Sequence, residues 1–234
     1  MTYLYNILLW LTWRLRLFLR PLLRSNLFGV PTYHTGGDKL LESLKWGGGL
    51  WWGDRHDGGY QVYSTPENLP MLSCSPRNPP YGGYYYKSDN VYSKFTLQIP
   101  FKAEVNVSYV GRLHPDSWDA PLWFYADDPN EIDVCEVYGD KFSPNIHWGE
   151  SKQWKHHMKP MRYKMPGGGR YSFGVDARYD RIKFYCNDVL VAVYPTPSEH
   201  LSSKFRAVIG VGSKTIHPIE PRNTMIINDI MISQ

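Results

Sequence analysis

Three carboxylates lie within six residues of one apolar run, and their types and spacing are suited to chemistry. Glu131, Asp133 and Glu136 occur in the stretch Glu-Ile-Asp-Val-Cys-Glu. Strand side chains alternate between faces, so Glu131 and Asp133 point the same way, whereas Glu136 would point the opposite way in a regular strand. One extra residue, a β-bulge around Val134 and Cys135, returns Glu136 to the first face. With such a bulge, one surface of the strand presents three acids.

Crowding of this kind separates the proton affinities of carboxyl groups. Neighbouring carboxylates cannot all ionise cheaply, so one of them holds a proton while another stays charged. A protonated acid beside a charged carboxylate is the pair that acid–base catalysis requires. The alternative is a solvated acidic edge with no chemical role, and the spacing by itself leaves both interpretations open.

Short strands must position these acids, because the rest of the chain has the pattern of antiparallel β structure. The chain has 234 residues, of which 15% are aromatic, and its 20 Gly and 18 Pro supply many turns. Runs of β-branched and aromatic residues, such as 92–99, recur between residues 84 and 232, and no long helical period follows residue 45. Asn187-Asp188 between two such runs predicts a tight hairpin turn. The pattern predicts an all-β, two-sheet antiparallel sandwich.

Charge and cysteine usage exclude some classes of function. The net charge of +4 is mild, and basic residues form no long run outside the N-terminus, which argues against a nucleic-acid partner. Cys74, Cys135 and Cys186 are odd in number and fit no zinc spacing, so we expect buried thiols and, weakly, a reducing compartment. His156-His157 has no further converging ligands in the sequence, so we predict no metal site there.

Residues 1–26 differ from the rest of the chain. An apolar run is followed by Arg14, Arg16, Arg20 and Arg24, with Pro21 expected to kink or divide a helix. The run has about half of the ~20 residues that span a bilayer, and its positive charge follows it, unlike that of a cleavable signal peptide. Three interpretations stay open: a basic amphipathic helix on a membrane surface, docking into a partner protein or an assembly such as a virion, and an atypical export signal.

These features divide the chain into three predicted parts. Residues 1–26 form a helical anchor or docking segment, residues 27–49 a linker rich in Gly and Pro, and residues 50–234 the β-sandwich domain. The location predicted for the protein is extracellular, on a membrane surface or on a virion.

The acid stretch resembles the catalytic strand of glycoside hydrolase family sixteen, which is written Glu-Ile-Asp-x-x-Glu in its bulged branch. Its surroundings match that family in the same order. Residues 92–100 resemble a strand ending in a Lys/Gln-x-Pro element, and residues 118–123 (Trp-Asp-Ala-Pro-Leu-Trp) resemble the Trp-Pro-Ala-x-Trp element. Residues 173–175 and 182–191 are similar to a later strand and its hairpin, and residues 225–232 to the closing strand. The resemblance covers residues 50–234.

The resemblance implies a curved, concanavalin-A-like jelly roll with a sugar cleft on its concave face. It implies that Glu131 is the nucleophile, that Asp133 orients it and tunes its charge, and that Glu136 is the general acid and then the general base. Two carboxyl groups about 5–5.5 Å apart are what a retaining glycosidase needs. Two same-face positions close together on one strand can supply that separation.

Aromatic and polar residues near the acids are the candidates for binding a sugar, because aromatic faces stack on sugar rings. The candidates are Trp118, Trp123, Asn145, His147, Trp148 and Trp154. Trp123 lies in an apolar run and fits the core equally well. Asn145 and His147 alternate onto one strand face, and in the family a His near this position contacts the sugar. Trp118 and Trp123 are five residues apart, whereas the family spacing is four, so one of the two Trp roles is expected to be displaced.

The leading hypothesis is a retaining endo-glycoside hydrolase of a β-linked polysaccharide, a glucan or a galactan. A transglycosylase would use the same acids with a sugar acceptor. The alternative from another class is a non-catalytic carbohydrate-binding or structural module of a larger assembly. No cofactor is predicted. A structural calcium ion occurs in relatives, and Asp229 is the one weak candidate ligand for it here.

Overall fold

A computed structural model describes part of the chain. It describes residues 2–18, 33–36, 46–48, 63–64, 66, 69–73, 75–81, 84–87, 89–110, 117–127, 130–149, 156–157, 162–166, 169–213 and 224–234.

The described residues form two helices, eighteen strands and a short 3-10 helix at Ser198–Leu201. The helices are α1 (Thr2–Leu11) and α2 (Trp13–Phe18). The strands before the acid stretch are β1 (Tyr33–Gly36), β2 (Trp46–Gly48), β3 (Tyr63–Ser64), β4 (Pro70–Ser73), β5 (Ser75–Tyr81), β6 (Tyr84–Lys87), β7 (Asp89–Ser93), β8 (Phe101–Val110) and β9 (Ser117–Ala126). The remaining strands are β10 (Glu131–Tyr138), β11 (Lys141–Trp148), β12 (His156–His157), β13 (Tyr163–Lys164), β14 (Arg170–Ala177), β15 (Arg181–Cys186), β16 (Val189–Pro195), β17 (Phe205–Ser213) and β18 (Thr224–Ser233).

Sixteen of these strands pair into two antiparallel sheets of eight. The front sheet, which contains the acids, has the order β12-β11-β10-β9-β17-β7-β2, with β13 also paired to β11. The back sheet has the order β16-β15-β14-β8-β18-β4-β3, with β1 also paired to β18. Strands β5 and β6 form a separate hairpin. The prediction of an all-β, two-sheet antiparallel sandwich with an N-terminal helical extension is confirmed.

The core lies between the two sheets and is filled by every second side chain of each strand. In β8, Ala103, Val105 and Val107 are fully buried, while the residues between them point outward. Aromatic rings join the sheets: Phe101 and Phe124 have ring centroids 4.7 Å apart. This alternation gives each sheet an outer face on which polar side chains can be placed.

Local turn chemistry agrees with the sequence in one place and corrects it in another. Asn187 and Asp188 have φ values of 49° and 63°, which is the conformation that a two-residue hairpin between β15 and β16 requires. The run predicted as a strand over 92–99 ends at Ser93. The Ser93 hydroxyl accepts the Ala207 N–H at 2.9 Å and donates to the Phe95 carbonyl at 2.8 Å. At this point the hydrogen bond to β17 is therefore made by a side chain instead of a backbone carbonyl.

The prediction of a linker at residues 27–49 needs correction, because part of this stretch belongs to the sandwich. Strand β1 pairs with β18 in the back sheet, and β2 pairs with β7 in the front sheet. Gly and Pro made this stretch resemble a linker, yet extended Gly-containing segments can pair along a sheet through backbone groups alone. The sandwich therefore begins before residue 50.

The N-terminal segment is helical as predicted from Thr2 to Phe18; Pro21 and the rest of the predicted segment lie outside the described residues. The break between α1 and α2 is slight, since Thr12 N–H donates to Leu8 O at 3.0 Å and Arg16 N–H to Thr12 O at 2.9 Å. Within the described residues, neither helix has the length and apolar character needed to cross a membrane.

Candidate active site

A β-bulge in strand β10 places the three acids on one face of the front sheet. Against β11, Glu131 lies opposite His147 and Asp133 opposite Asn145, but the next pair joins Glu136 to Ser143. The strand therefore advances three residues while its partner advances two. The extra residue turns Glu136 back to the face of Asp133, which confirms the bulge predicted from the spacing.

The other face of β10 is apolar and belongs to the core. Ile132, Val134, Cys135 and Val137 are all buried in the main hydrophobic cluster. Burial, together with the nearby Cys186 and Glu136, raises the pKa of the Cys135 thiol well above its ordinary value. Cys135 and Cys186 are buried thiols outside any disulfide, as expected from the sequence, whereas Cys74 lies outside the described residues. Cys135 is thus a packing residue beside the acids.

The three acids are nearly buried even though they lie on the outer face of their sheet. The exposed fractions are 7% for Glu131, 2% for Asp133 and 8% for Glu136. Partial removal from water raises the free energy of each charged carboxylate, and the proximity of the others raises it further. Three nearly buried carboxyl groups on one sheet face are therefore candidates for acid–base chemistry.

Asp133 lies against polar side chains of the neighbouring strand. His147 Nε2 lies 3.2 Å from Asp133 Oδ2 and 2.9 Å from Asn145 Nδ2. The Asn145 amide is itself oriented, because its Oδ1 accepts the Ile146 N–H at 2.9 Å. Asn145 and His147, both predicted from the sequence, therefore reach the acid face and form a chain of polar contacts that ends on Asp133.

Glu136 has a donor of its own that sequence reasoning missed. The Tyr138 hydroxyl donates to Glu136 Oε1 at 2.8 Å. Burial and the nearby Glu136 raise the pKa of Tyr138 far above its ordinary value, so the phenol stays protonated and remains a donor. The Arg162 guanidinium lies 5.1 Å from the centre of the same ring. Tyr138 follows Glu136 by two residues, and strict alternation from Glu136 would have found it.

The start of β10 is supported from the core side by the 3-10 helix. The His200 ring is fully buried, stacks on Phe205 with centroids 5.6 Å apart, and has Nε2 3.2 Å from the Glu131 carbonyl oxygen. Asn130, just before the strand, donates to Ser203 Oγ at 2.9 Å. These contacts fix the backbone that carries Glu131. They join residues about seventy positions apart, for which the sequence gives no signal.

An aromatic cluster separate from the core lies beside the acids. Trp123 pairs opposite Asp133, Tyr125 pairs opposite Glu131, and their rings meet edge to face with centroids 5.9 Å apart. Ala120, Val208 and Tyr92 complete the cluster. Trp123 is therefore on the acid face and outside the main core. Tyr92 and Tyr125 were missed by sequence reasoning, although alternation from Trp123 points to Tyr125.

Strand β9 contains a second bulge, which explains the unusual spacing of Trp118 and Trp123. Against β17 the pairs are Val208 with Trp123 and Gly210 with Ala120, so β9 advances three residues for two. Pro121, which has no N–H to give to a ladder, lies inside this bulge. The bulge takes up the additional residue. The Trp118 backbone pairs with Gly212, and its side chain lies outside the described part of the structure.

Two further predicted binding residues are not brought to the acids. The prediction that Trp148 binds sugar needs correction. Trp148 follows His147 in β11, so its side chain points to the opposite face of the sheet. There it packs against the core, and its ring centroid lies 6.5 Å from that of His200. Trp154 lies outside the described residues. Among the residues described, no three His, Cys, Asp or Glu side chains are arranged to hold a metal ion.

Several solved structures have an architecture similar to that of this chain. An endo-acting O-glycanase of the human gut microbiota superposes with a TM-score of 0.70 at 14% identity, covering 87% of this chain and 99% of its own. The laminarinase catalytic domain of Thermotoga petrophila gives a TM-score of 0.69 at 15% identity, with coverages of 87% and 96%. The family 16 endo-glucanase of Bacteroides ovatus gives 0.66 at 12% identity, with coverages of 86% and 99%.

The chain has the fold of glycoside hydrolase family 16. No protein-family model matches its sequence, and no curated protein sequence is similar to it. At identities of 12–15%, the superpositions concern the family 16 fold alone. Within that fold, the acid face, its oriented partners and the adjoining aromatic cluster are features of this chain's own residues.

Proposed function

We propose that the protein is a retaining endo-glycoside hydrolase of a β-linked polysaccharide. The observation that carries the proposal is the β10 bulge, which gathers Glu131, Asp133 and Glu136 on one nearly buried face. Three carboxylates held together on an outer sheet face destabilise the fold, so a chemical role accounts for them better than packing does.

In the first step, Glu136 donates its proton to the glycosidic oxygen while the Glu131 carboxylate attacks the anomeric carbon. The bond to the leaving sugar breaks, and a covalent glycosyl-enzyme forms on Glu131. In the second step, Glu136, now a carboxylate, takes a proton from water as the water oxygen attacks the same carbon. The bond to Glu131 breaks, and the product keeps the β configuration because two inversions have occurred.

The neighbouring residues have defined tasks in this scheme. Asp133, which lies 3.2 Å from His147 Nε2, is on the same strand face as the nucleophile, where it orients Glu131. Tyr138 stabilises the Glu136 carboxylate that exists between the two steps. Trp123 and Tyr125 offer ring surface and edges to a sugar beside the cleavage point.

The proteins with which the chain superposes support a proposal for the substrate class. The Bacteroides ovatus endo-glucanase was solved with glucan oligosaccharides, and a β-agarase A, at a TM-score of 0.64 and 16% identity, with oligoagarose. We infer a β-glucan or a β-galactan. The non-catalytic alternative is less well supported, because a binding module has no need of three carboxylates on one bulged strand.

The test is activity on a panel of β-glucans, agars, carrageenans and O-glycans, followed by Glu131→Gln and Glu136→Gln. Each substitution is expected to lower kcat by about 10²–10⁴-fold or more. Glu104→Gln is the matched control, since Glu104 is a similarly buried glutamate on the outer face of the back sheet.

Azide distinguishes the two roles on an activated aryl β-glycoside. The Glu136→Ala enzyme, whose shortened side chain leaves room for azide, is expected to give a β-glycosyl azide, because azide then replaces water in the second step. The Glu131→Ala enzyme is expected to give the α-anomer, because azide then takes the place of the nucleophile in a single inversion. The mechanism is wrong if both variants keep the activity of Glu104→Gln. A wild-type protein that binds a polysaccharide of the panel without cleaving any would assign the non-catalytic role.

A further inference from the structure

Helices α1 and α2 run on from each other with only a slight break and together form the N-terminal helix, residues 2–18, which contacts the sandwich through one face. Asn6, Leu9, Trp13 and Arg16 recur at intervals of three or four residues and point inward. The Asn6 side chain donates to the Val193 carbonyl at 2.8 Å and accepts the Val193 N–H at 2.9 Å. It thus satisfies the backbone of β16, the outermost described strand of the back sheet.

The same helix also reaches the front sheet. The Trp13 ring is 3% exposed, meets the rings of Phe142 and Tyr163 at 5.6 and 5.8 Å, and donates to the Lys164 carbonyl at 3.1 Å. Trp10 donates to the Arg162 carbonyl at 2.9 Å. The helix is therefore a fixed part of the domain, and its orientation on the sandwich is defined.

The opposite face of the helix is apolar and exposed. Five residues along the centre of this face, which we call the outward stripe, follow one another at intervals of four, three, four and three residues. They are Leu4, Leu8, Leu11, Leu15 and Phe18, with exposed fractions of 71%, 55%, 65%, 59% and 81%. Tyr3, Tyr5 and Trp10 border the stripe and are also exposed. Among the described residues, eight of the eleven exposed large hydrophobic side chains belong to this helix, so the patch is concentrated in one place.

The charge around the outward stripe distinguishes between a second copy of the helix and a lipid surface as its binding partner. Arg14 is exposed beside the stripe, Arg20 and Arg24 follow in the sequence, and no Asp or Glu precedes Asp38. A second copy of the helix would bring like charges together along the stripe. An anionic lipid surface instead neutralises them, and its boundary between headgroups and acyl chains accommodates leucines flanked by tyrosine and tryptophan.

We propose that residues 2–18 lie in the plane of an anionic membrane surface, with the outward stripe inserted and the sandwich held on the opposite side of the helix. The helix is about 25 Å long, which suits binding parallel to the surface. The proposal is independent of the hydrolase function, because none of its contacts involves the three acids.

The test is co-sedimentation of the full chain with two kinds of vesicle, one of phosphatidylcholine alone and one of phosphatidylcholine with about 30% phosphatidylserine. We expect at least tenfold tighter binding to the anionic vesicles, weakened by salt. The double substitution Leu11→Gln/Leu15→Gln is expected to lower that binding at least tenfold. Leu201→Gln, at an exposed leucine of the 3-10 helix, is the matched control and is expected to bind like the wild type.

Both glutamine variants change exposed side chains, so their Tm should equal that of the wild type within about 2 °C. The proposal is overturned if the wild type binds neither kind of vesicle, or if it binds neutral vesicles as tightly as anionic ones. It is also overturned if the double variant binds anionic vesicles as tightly as Leu201→Gln does. A stable dimer in light scattering, together with no vesicle binding, would overturn it and assign the stripe to a second copy.

Discussion

Strand β10 and the N-terminal helix each present one face to the core and one face outward, but their outward faces differ. The outward face of β10 carries three acids that are nearly buried, whereas the outward face of the helix carries leucines that are mostly exposed. Each arrangement runs against the usual placement of charged side chains in water and apolar ones out of it. Deviations of this kind are expected where function, rather than stability, selects the residue. The comparison marks two separate candidate functional surfaces among the described residues.

The inward faces of the two elements should dominate stability, and the helix offers the sharpest test. Replacing Trp13 by Ala removes a ring buried against Phe142 and Tyr163 and should lower the free energy of unfolding by about 3–5 kcal/mol. Leu11→Ala, on the outward stripe, should change it by less than about 0.5 kcal/mol. Urea unfolding followed by circular dichroism measures both. Equal effects would mean that the helix is not docked through Trp13.

The polar contacts of the acid face should matter for activity more than for folding. Tyr138→Phe removes the donor to Glu136, so we expect about a tenfold lower kcat. Without that donor the charged form of Glu136 is less stable, and the alkaline limb of the pH–rate profile should move to higher pH. Tyr179→Phe, at an exposed tyrosine, is the control. An unchanged profile would show that Tyr138 only packs against Glu136.

A buried carboxylate outside the acid face should affect stability without affecting catalysis. Burial raises the pKa of Glu104, with hydrogen bonds from Ser172 and Asn106 acting against it. Because the folded pKa exceeds the unfolded one, ionising Glu104 destabilises the fold as pH rises from the unfolded pKa, about 4.3, through the folded one. Glu104→Gln abolishes this loss. Its Tm relative to wild type should therefore be higher at pH 7 than at pH 4, as differential scanning calorimetry can measure; a constant difference contradicts the expectation.

Local rules account for what was predicted correctly from the sequence. The alternation of Glu131 and Asp133, the bulge before Glu136 and the Asn187-Asp188 turn all depend on residues a few positions apart. The same alternation would have corrected the assignment of Trp148, because His147 and its immediate neighbour cannot both face the acids. It would also have found Tyr138 and Tyr125.

Long-range contacts account for what was not predicted. The support of Glu131 by His200 joins distant parts of the chain, and the pairing of β1 with β18 joins its two ends. Strand β2 was hidden by its glycines, since it pairs through backbone groups and carries little side-chain pattern. In these places the information lies in the tertiary fold and not in any short stretch of sequence.

The pairing of Asn6 with Val193 also bears on how the protein must be handled and made. An uncovered outer strand is a template on which other chains can add strands and aggregate, and here a side chain amide from the N-terminal helix occupies that template. A truncation that removes the helix would reopen β16 to its neighbours.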